Sequence, residues 1–235
     1  MSKAIEFEHV AFSYPDGTNA LEDINFSVDS GECLGLIGPN GAGKTTLLLH
    51  LNGILRGSGS IRVHGSQLCD ENITLIRKDV GMVFQDPDMQ LFMPTVFEDV
   101  SFGPLHMGLP DKEIKERVFK ALNDVDMAYV SDKISHHLSF GEKRRVSIAT
   151  VLSMEPKILV LDEPTSNLDP KHRSQLIDIL RSIPVTKIIA SHDLDMISRL
   201  ADRVLFLEEG RAAAIGQTKH ILSNSRLFKE LGFYL

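Results

Sequence analysis

The first third of the chain alternates apolar and polar positions, a pattern typical of strands that bury one face. Residues 5–13 and 24–28 show this alternation, and residues 60–63 resemble them before the turn at His64-Gly65. We therefore predict a β-rich lobe near the N-terminus. No internal repeat, low-complexity segment or long linker interrupts the chain.

Other apolar runs are short and continuous, as in strands of a parallel sheet covered on both faces. They occupy residues 34–37, 80–84, 158–161 and 188–190. Residues 204–207 are predicted to be the last strand, followed by a turn at Glu209-Gly210. These strands favour an α/β core.

Helical periodicity is concentrated in the middle of the chain. Residues 46–51, 111–130 and 142–154 are predicted helices, the second with Ile114, Val118 and Leu122 on one face. We expect residues 1–85 and 155–215 to form the core with its β-lobe, and residues 86–154 to form an inserted helical lobe. Residues 216–235 would be a short helical tail.

Composition narrows the class of protein. A chain of 235 residues that is 43% hydrophobic and 24% charged has the composition of a soluble globular domain. It contains no apolar run long enough to span a bilayer, and its acidic start predicts no signal peptide. Two cysteines, Cys33 and Cys69, fit a reducing cytoplasm. The net charge of −7 argues against a nucleic-acid partner.

A phosphate-binding loop follows the apolar run 34–37. The pattern G-x-x-x-x-G-K-[ST] is filled by Gly38, Pro39, Asn40, Gly41, Ala42, Gly43, Lys44 and Thr45. Backbone N–H groups and a helix N-terminus would surround phosphate oxygens, Lys44 would reach the β- and γ-phosphates, and Thr45 would hold Mg²⁺. A chance glycine-rich turn is the alternative, but the flanking strand and helix argue against it.

Two carboxylates, Asp162 and Glu163, end the apolar run 158–161. Burying unpaired charge is costly, so a nearby Mg²⁺ would explain them. Asp162 would then hold the metal, and Glu163 would orient or deprotonate the attacking water. Exposed acids at an ordinary strand-to-loop transition are the alternative.

Two other polar residues follow predicted strands in the same way. His192 could bind a γ-phosphate or the attacking water, whereas a solvated loop histidine is the simpler interpretation. Gln85 could equally be a surface amide. The adjacent His136 and His137 would point apart and make a poor chelate.

A second possible anion site precedes the helix 142–154. Ser139 is a candidate N-cap, and Lys143, Arg144 and Arg145 follow it in a basic turn. The alternative is a plain capped helix with a solvated basic turn. Two separate phosphate sites in one chain suggest sites that are completed across a dimer.

In this order, the motifs resemble those of the nucleotide-binding subunits of ATP-binding-cassette (ABC) transporters over essentially the whole chain. The resemblance makes Tyr14 the adenine-stacking residue, Gln85 the Q-loop residue, Glu163 the base and His192 the switch histidine. It assigns residues 38–46 to nucleotide binding, residues 138–142 to the signature motif, residues 158–162 to Walker B and residues 166–169 to the D-loop. Phe140 and Glu142 depart from the usual Leu-Ser-Gly-Gly-Gln.

The resemblance implies a P-loop NTPase core with an antiparallel β-lobe and an inserted helical lobe. Two such subunits, identical or paralogous, would enclose two ATP molecules head to tail. The loop of one subunit, including Thr46, and Ser139 to Gly141 of the other would bind each ATP. Thr45, Gln85 and Asp162 would hold Mg²⁺, and the products would be ADP and phosphate.

A narrower resemblance, in residues 84–92 and 95–104, is to the ATPases of energy-coupling-factor importers, above all those for cobalt and nickel. It implies a place at the cytoplasmic face of the cell membrane. The partners would be a transmembrane coupling subunit and a substrate-binding membrane subunit. A vitamin importer is the alternative substrate class.

ATPases of other classes fit less well. Only 93 residues separate Lys44 from Leu138, with no heptads, which disfavours a DNA-repair ATPase of the ABC type. Translation-associated ATPases usually carry two such units, and a P-loop kinase would need neither the signature motif nor His192.

The apolar residues Leu91, Phe92, Met93, Val96 and Phe97 follow Gln85 closely. We expect them to form an exposed patch, because so apolar a run interrupted by Pro94 is hard to bury in a small lobe. By resemblance, this patch would receive a coupling helix of the membrane subunit. The alternative is that they pack the lobe's own core.

Overall fold

The computed structural model describes residues 2–223. Its strands are β1 (Lys3–Ser13), β2 (Asn19–Asp29), β3 (Cys33–Ile37), β4 (Ser58–Val63), β5 (Ser66–Gln67), β6 (Val80–Val83), β7 (Ile158–Asp162), β8 (Thr186–Ala190), β9 (Arg203–Glu208) and β10 (Arg211–Gln217). Its helices are α1 (Lys44–Leu51), α2 (Ile73–Asp79), α3 (Val96–His106), α4 (Asp111–Asp124), α5 (Phe140–Leu152), α6 (Pro170–Ser182), α7 (Leu194–Leu200) and α8 (Thr218–Ser223).

Within these residues the strands form two sheets. One is antiparallel in the order β2-β1-β4-β5, and its register pairs Ile5 with both Val28 and Val63. The other has the order β10-β9-β3-β8-β7-β6 and is parallel except for β10. The predicted α/β core with an antiparallel β-lobe is therefore confirmed.

The parallel sheet separates two hydrophobic cores, because successive side chains of a strand face opposite sides. Leu159 and Leu161 of β7 pack with the helices α3 to α7, whereas Ile158 and Val160 pack with α1 and the antiparallel sheet. Every residue of β7 is buried, which explains its continuous apolar run.

The helices α3, α4 and α5 lie between β6 and β7 in the chain and pack against one another. The helix predicted over residues 111–130 is shorter, because α4 ends at Asp124. Asp126 adopts a left-handed conformation with φ 56°, and the Met127 N–H then bonds the Leu122 carbonyl at 2.7 Å. This arrangement terminates helices.

The prediction that residues 204–207 are the last strand is wrong. Glu209 and Gly210, with φ 46° and 76°, make a tight turn from β9 into β10, which pairs antiparallel with it. The predicted C-terminal tail from residue 216 therefore begins inside β10 and continues as α8. Residues 224–235 of that tail lie outside the described residues.

The parallel strands β3, β6, β7 and β8 all end at the same edge of the sheet. The loop after β3, Gln85 after β6, Asp162 and Glu163 at the end of β7, and His192 after β8 are thereby brought together. Ligands of open α/β sheets bind at this edge.

Candidate functional site

The loop from β3 to α1 packs closely against the backbone of β2. A Cβ at Gly43, where φ is 100°, would lie 2.4 Å from the Ala20 carbonyl oxygen, so only glycine fits this position. Gly43 is also the N-cap of α1 and provides no side-chain cap. The first N–H groups of α1 are therefore available to an anion.

Lys44 is buried, with 7% of its surface exposed. Its Nζ donates to the carbonyl oxygens of Gly38 at 2.8 Å and Pro39 at 2.9 Å, and lies 3.3 Å from His192 Nε2. Burial lowers the pKa of Lys44, while the carboxylates of Glu163 and Asp162 oppose that shift. A bound anion would compensate this buried charge.

Thr45 and Asp162 offer two oxygens side by side. The Thr45 hydroxyl donates to Asp162 Oδ2 at 2.7 Å, and Asp162 is 4% exposed. Burial raises the pKa of Asp162, although the Thr45 hydrogen bond and the Lys44 charge lower it. A hydroxyl and a carboxylate beside a phosphate loop suit Mg²⁺, which binds oxygen ligands and keeps phosphates and waters in its shell.

Glu163 adopts a left-handed backbone conformation with φ 45°, held by its N–H bond to the Ala190 carbonyl at 2.9 Å. Its Oε2 accepts from the Ser191 hydroxyl at 3.1 Å and from the His192 N–H at 3.3 Å. Its Oε1 is buried, 3.4 Å from His192 Nε2, and finds no hydrogen-bond partner in the described part of the chain. One oxygen is thus fixed and the other can accept a proton.

These residues line one cavity of about 790 Å³. Of the predicted site residues, it includes Tyr14, Asn40, Gly41, Gly43, Lys44, Thr45, Thr46, Gln85, Asp162, Glu163 and His192. Ser166 of the predicted D-loop also lines it, as do Thr18, Asn19, Ala20, Thr165 and Asp193, for which no role was predicted. Gly38, Pro39 and Ala42 do not line the cavity. The carbonyl oxygens of Gly38 and Pro39 accept hydrogen bonds from Lys44, and Ala42 is buried.

Tyr14 joins the cavity to α1. Its hydroxyl lies 2.9 Å from Thr46 Oγ1, and its ring packs edge-on against Phe12 with centroids 5.0 Å apart. The predicted aromatic residue therefore lies at the cavity wall, held at its polar end. Gln85 is exposed on the wall formed by the end of β6.

The structure does not bring Ser139 and Gly141 to this cavity. Ser139 is the predicted N-cap of α5, and its hydroxyl and Glu142 form a reciprocal capping box. These hydrogen bonds from Ser139 lower the pKa of Glu142. Gly141 packs so closely on His172 that a Cβ would lie 3.0 Å from the ring. Glu142 therefore has a local role in positioning Ser139.

One interpretation expected the basic turn after Ser139 to be solvated. The structure shows that most of it is not. Arg144 is fully buried and donates to the carbonyl oxygens of Phe84, at 2.8 Å, and Gln85. Lys143 pairs with Asp88 at 2.7 Å. The sequence placed Arg144 in a basic turn but did not predict its burial, because nothing local distinguishes a buried arginine from its exposed neighbours. Sequence reasoning missed Ser191, whose position directly after β8 was the available signal.

The apolar run after Gln85 is only partly exposed. Leu91 and Val96 are 1% and 0% exposed and belong to the core, so their predicted exposure is wrong. The inner face of α3 packs on α4 and α5, which buries Val96. Phe92 remains 59% exposed and packs edge-on against the half-buried Phe102.

Phe92 and Phe102 line a largely apolar groove of about 760 Å³ between α2, α3 and α5. Asp99, buried beneath it, accepts hydrogen bonds from the N–H groups of Phe92 and Met93 at 2.9 and 2.8 Å. The loop that presents Phe92 is therefore fixed. No described helix is long and apolar enough to cross a membrane.

Comparisons with known proteins agree with this arrangement. Residues 21–166 match the family described as ABC transporter. A putative ABC transporter ATP-binding protein of Geobacter sulfurreducens is 53% identical, covering 95% of this chain and 90% of the relative. The energy-coupling factor transporter ATP-binding protein EcfA of Methanothermobacter thermautotrophicus is 46% identical, with coverages of 98% and 76%.

Two solved structures are also similar to this chain over most of its length. CbiO1 from Clostridium perfringens, described as part of the ABC transporter complex CbiONQ, superimposes with a TM-score of 0.88 at 40% identity and covers 99% of this chain and 95% of its own. A dimeric ATP-binding cassette in a post-hydrolysis state with ADP and Pi has a TM-score of 0.81 at 25% identity, with coverages of 91% and 98%.

Proposed function

Because the chain belongs to the ABC transporter family, we propose that it energises the import of cobalt or nickel ions through an energy-coupling-factor transporter. That it is an ATPase follows from the family itself. The finer assignment is supported by its similarity to EcfA proteins and to CbiO1, a part of the CbiONQ complex. The energy-coupling-like segments around Gln85 and α3 point the same way.

In the proposed mechanism, backbone N–H groups of the loop and of the first turn of α1, within residues 38–46, bind the β- and γ-phosphates together with the Lys44 ammonium, and Tyr14 supports the adenine. Thr45, Asp162 and Gln85 would hold Mg²⁺. When bound, this ion would neutralise charge on the phosphate oxygens. Gly38 and Pro39 hold Lys44 in place until the phosphates arrive.

The observation that carries the catalytic assignment is that only one of the two Glu163 carboxylate oxygens accepts hydrogen bonds from the described residues. Oε2 is fixed by Ser191 and His192, while the buried Oε1 accepts no hydrogen bond among residues 2–223 and lies 3.4 Å from His192 Nε2. We assign Oε1 as the acceptor of the proton from the attacking water, and His192 as a contact to the γ-phosphate.

We propose that a second copy or a paralogue completes each site. Ser139 and Gly141 lie outside the cavity of their own chain, so their role at a nucleotide requires the partner's loop. In this scheme residues 1–85 and 155–215 are the nucleotide-binding core, and residues 86–154 carry the signature motif to the partner. Membrane subunits would bind at the groove around Phe92, at the cytoplasmic face of the membrane.

The test is copurification with the membrane subunits, followed by uptake measurements in cells that lack other importers of these ions. We expect ATP-dependent uptake of radioactive Co²⁺ or Ni²⁺, lost in Glu163→Gln. Uptake of a vitamin by the same complex, with no metal uptake, would overturn the substrate and leave the ATPase assignment intact. Failure to copurify with any membrane subunit would overturn the transporter role.

A further inference from the structure

Arg144 in α5 is the largest of the fully buried side chains and is a cation. Its guanidinium donates to the carbonyl oxygens of Phe84 and Gln85 and lies 5.4 Å from the Phe140 ring centroid. Its Nε has no partner and no carboxylate pairs with it within residues 2–223. Burial lowers the pKa of Arg144 to about 10, against the opposing charges of Asp86 and Asp162.

Burying an arginine that has no paired carboxylate carries a desolvation penalty. Here the buried charge is compensated only by two carbonyls and a ring, and a neutral side chain at this position would avoid that cost. What arginine adds is a planar fork that holds two neighbouring acceptors at once. The feature that the fork fixes is the backbone at the exit of β6.

Three more contacts tie the same segment to α5. The Gln90 amide donates to the Ser147 carbonyl and to Thr150 Oγ1, both at 2.7 Å. Lys143 pairs with Asp88 on the surface. The segment 84–90, which we call the Gln85 loop, is therefore attached along α5, although the chain continues into it from the sheet.

The Gln85 loop and the start of α5 differ in their position relative to the nucleotide cavity. The Gln85 side chain lines the nucleotide cavity of its own chain, whereas Ser139 caps α5 outside that cavity. A displacement of Gln85 toward a γ-phosphate would pull on the carbonyls that Arg144 holds. The pull would pass along one turn of α5 to Ser139.

We propose that Arg144 is a positioning residue that makes the Gln85 loop and α5 move as one body, and thereby couples the two nucleotide sites of a dimer. This inference rests on the proposed dimer, in which Ser139 binds the nucleotide of the partner. Occupancy of one site then sets the geometry of Ser139 at the other.

The test is the dependence of hydrolysis on ATP concentration in the purified full chain. We expect the wild type to be cooperative, with a Hill coefficient approaching about 2, the number of coupled sites. Arg144→Met should lower the coefficient to about 1, reduce turnover by roughly 10–10²-fold through misplacement, and leave ATP affinity of the monomer unchanged. Its melting temperature should fall, because the carbonyl oxygens of Phe84 and Gln85 lose their donor.

Arg144→Lys serves as a second variant if the methionine variant fails to fold. It keeps the charge but replaces the rigid planar fork with a single flexible donor group, so a smaller loss of cooperativity in the same direction is expected. Arg117→Lys, in α4 of the same lobe and paired with Glu113 and Glu155, is the matched control and should retain wild-type cooperativity.

Cooperative, full-rate hydrolysis by folded Arg144 variants would overturn the inference. So would non-cooperative hydrolysis by a wild-type protein that still dimerises with ATP. A chain that hydrolyses ATP without ever dimerising would instead overturn the proposed dimer. Measurements of metal uptake bear on neither outcome, which keeps this test separate from the substrate assignment.

Discussion

At the scale of single residues, the proposed mechanism divides the Glu163 carboxylate between positioning by one oxygen and proton transfer by the other. Replacing it with glutamine keeps an oxygen for Ser191 and His192 but removes the basicity of Oε1. We predict that Glu163→Gln binds ATP normally and hydrolyses it roughly 10²–10⁴-fold more slowly. Phosphate release and nucleotide titration measure the two quantities.

The same variant should accumulate as an ATP-bound dimer in gel filtration, because the closed state can no longer hydrolyse its ligand. Glu22→Gln, which removes a surface carboxylate paired with Arg211, is the control and should retain normal turnover. Near-normal turnover of Glu163→Gln would show that another group accepts the proton.

Asp162 is a buried carboxylate whose charge lowers the stability of the nucleotide-free chain. Burial raises the pKa of this carboxyl, so its charged form costs stability in the folded chain at neutral pH. We predict that Asp162→Asn raises the melting temperature of the nucleotide-free protein by about 2–4 °C, the shift that ~1 kcal/mol produces in a domain of this size.

The pH dependence follows from the direction of that shift. The cost of the charge is absent below the ordinary aspartate pKa, where both folded and unfolded states are protonated. It grows as the pH rises through the raised folded pKa. The melting advantage of Asp162→Asn should therefore vanish in acid, while Mg²⁺-dependent ATP binding is lost at neutral pH. A lower melting temperature at pH 7 would contradict the argument.

At the scale of elements, Lys44 and Ser139 lie at the starts of two different helices. Lys44→Ala removes a buried charge from the cavity and should weaken ATP binding by the monomer and abolish turnover. Ser139→Ala should spare that binding and impair ATP-driven dimerisation, since Ser139 lies outside the cavity. Nucleotide titration and light scattering separate the two defects.

The loss of a cap also costs stability, so Ser139→Ala needs a control with the same cost. Thr95 forms the equivalent capping box with Glu98 at the start of α3. Thr95→Ala should lower the melting temperature by a similar amount, about 2–4 °C for ~1 kcal/mol, without affecting dimerisation. Equal loss of dimerisation in both variants would reduce Ser139 to a structural cap.

Sequence patterns predicted those elements whose signals are local. The alternation in β1 and β2, the continuous apolar strands and the glycine loop all identify themselves within a few residues. Because the continuous apolar strands are parallel, their carboxyl ends lie at one edge of the sheet. The end of α4 depends on a single left-handed residue, Asp126, and β10 carries three alanines too weakly apolar to show an alternation.

What the sequence could not supply was burial decided by distant parts of the chain. Arg144 is buried because the Gln85 loop lies along α5, and Leu91 and Val96 are buried because α3 packs on α4 and α5. The helices α6 and α7 had usable signals, since Asp169-Pro170 and Asp193 cap their first turns. Neither helix is among the elements predicted above, because both caps lie in or next to motifs that also indicate nucleotide chemistry.

At the scale of the whole molecule, the groove between α2, α3 and α5 is the surface where a membrane subunit would bind. Phe92 and Phe102 line it, and Asp99 fixes the loop from beneath. A charge in the middle of such a contact is poorly tolerated. We predict that Phe92→Asp keeps basal ATPase activity and weakens assembly by roughly 30-fold or more, a hot-spot cost of about 2 kcal/mol.

The choice of residue decides whether this experiment is interpretable. Leu91→Asp would place a charge in the core and unfold the lobe, so it cannot report on docking. Phe119→Asp changes a half-exposed ring of α4 outside the groove and is the matched control. We expect copurification with the membrane subunits, and uptake of Co²⁺ or Ni²⁺ with it, to be lost in Phe92→Asp and kept in Phe119→Asp. Normal assembly and uptake with Phe92→Asp would exclude the groove as the docking surface while leaving the nucleotide site and its coupling through Arg144 untouched.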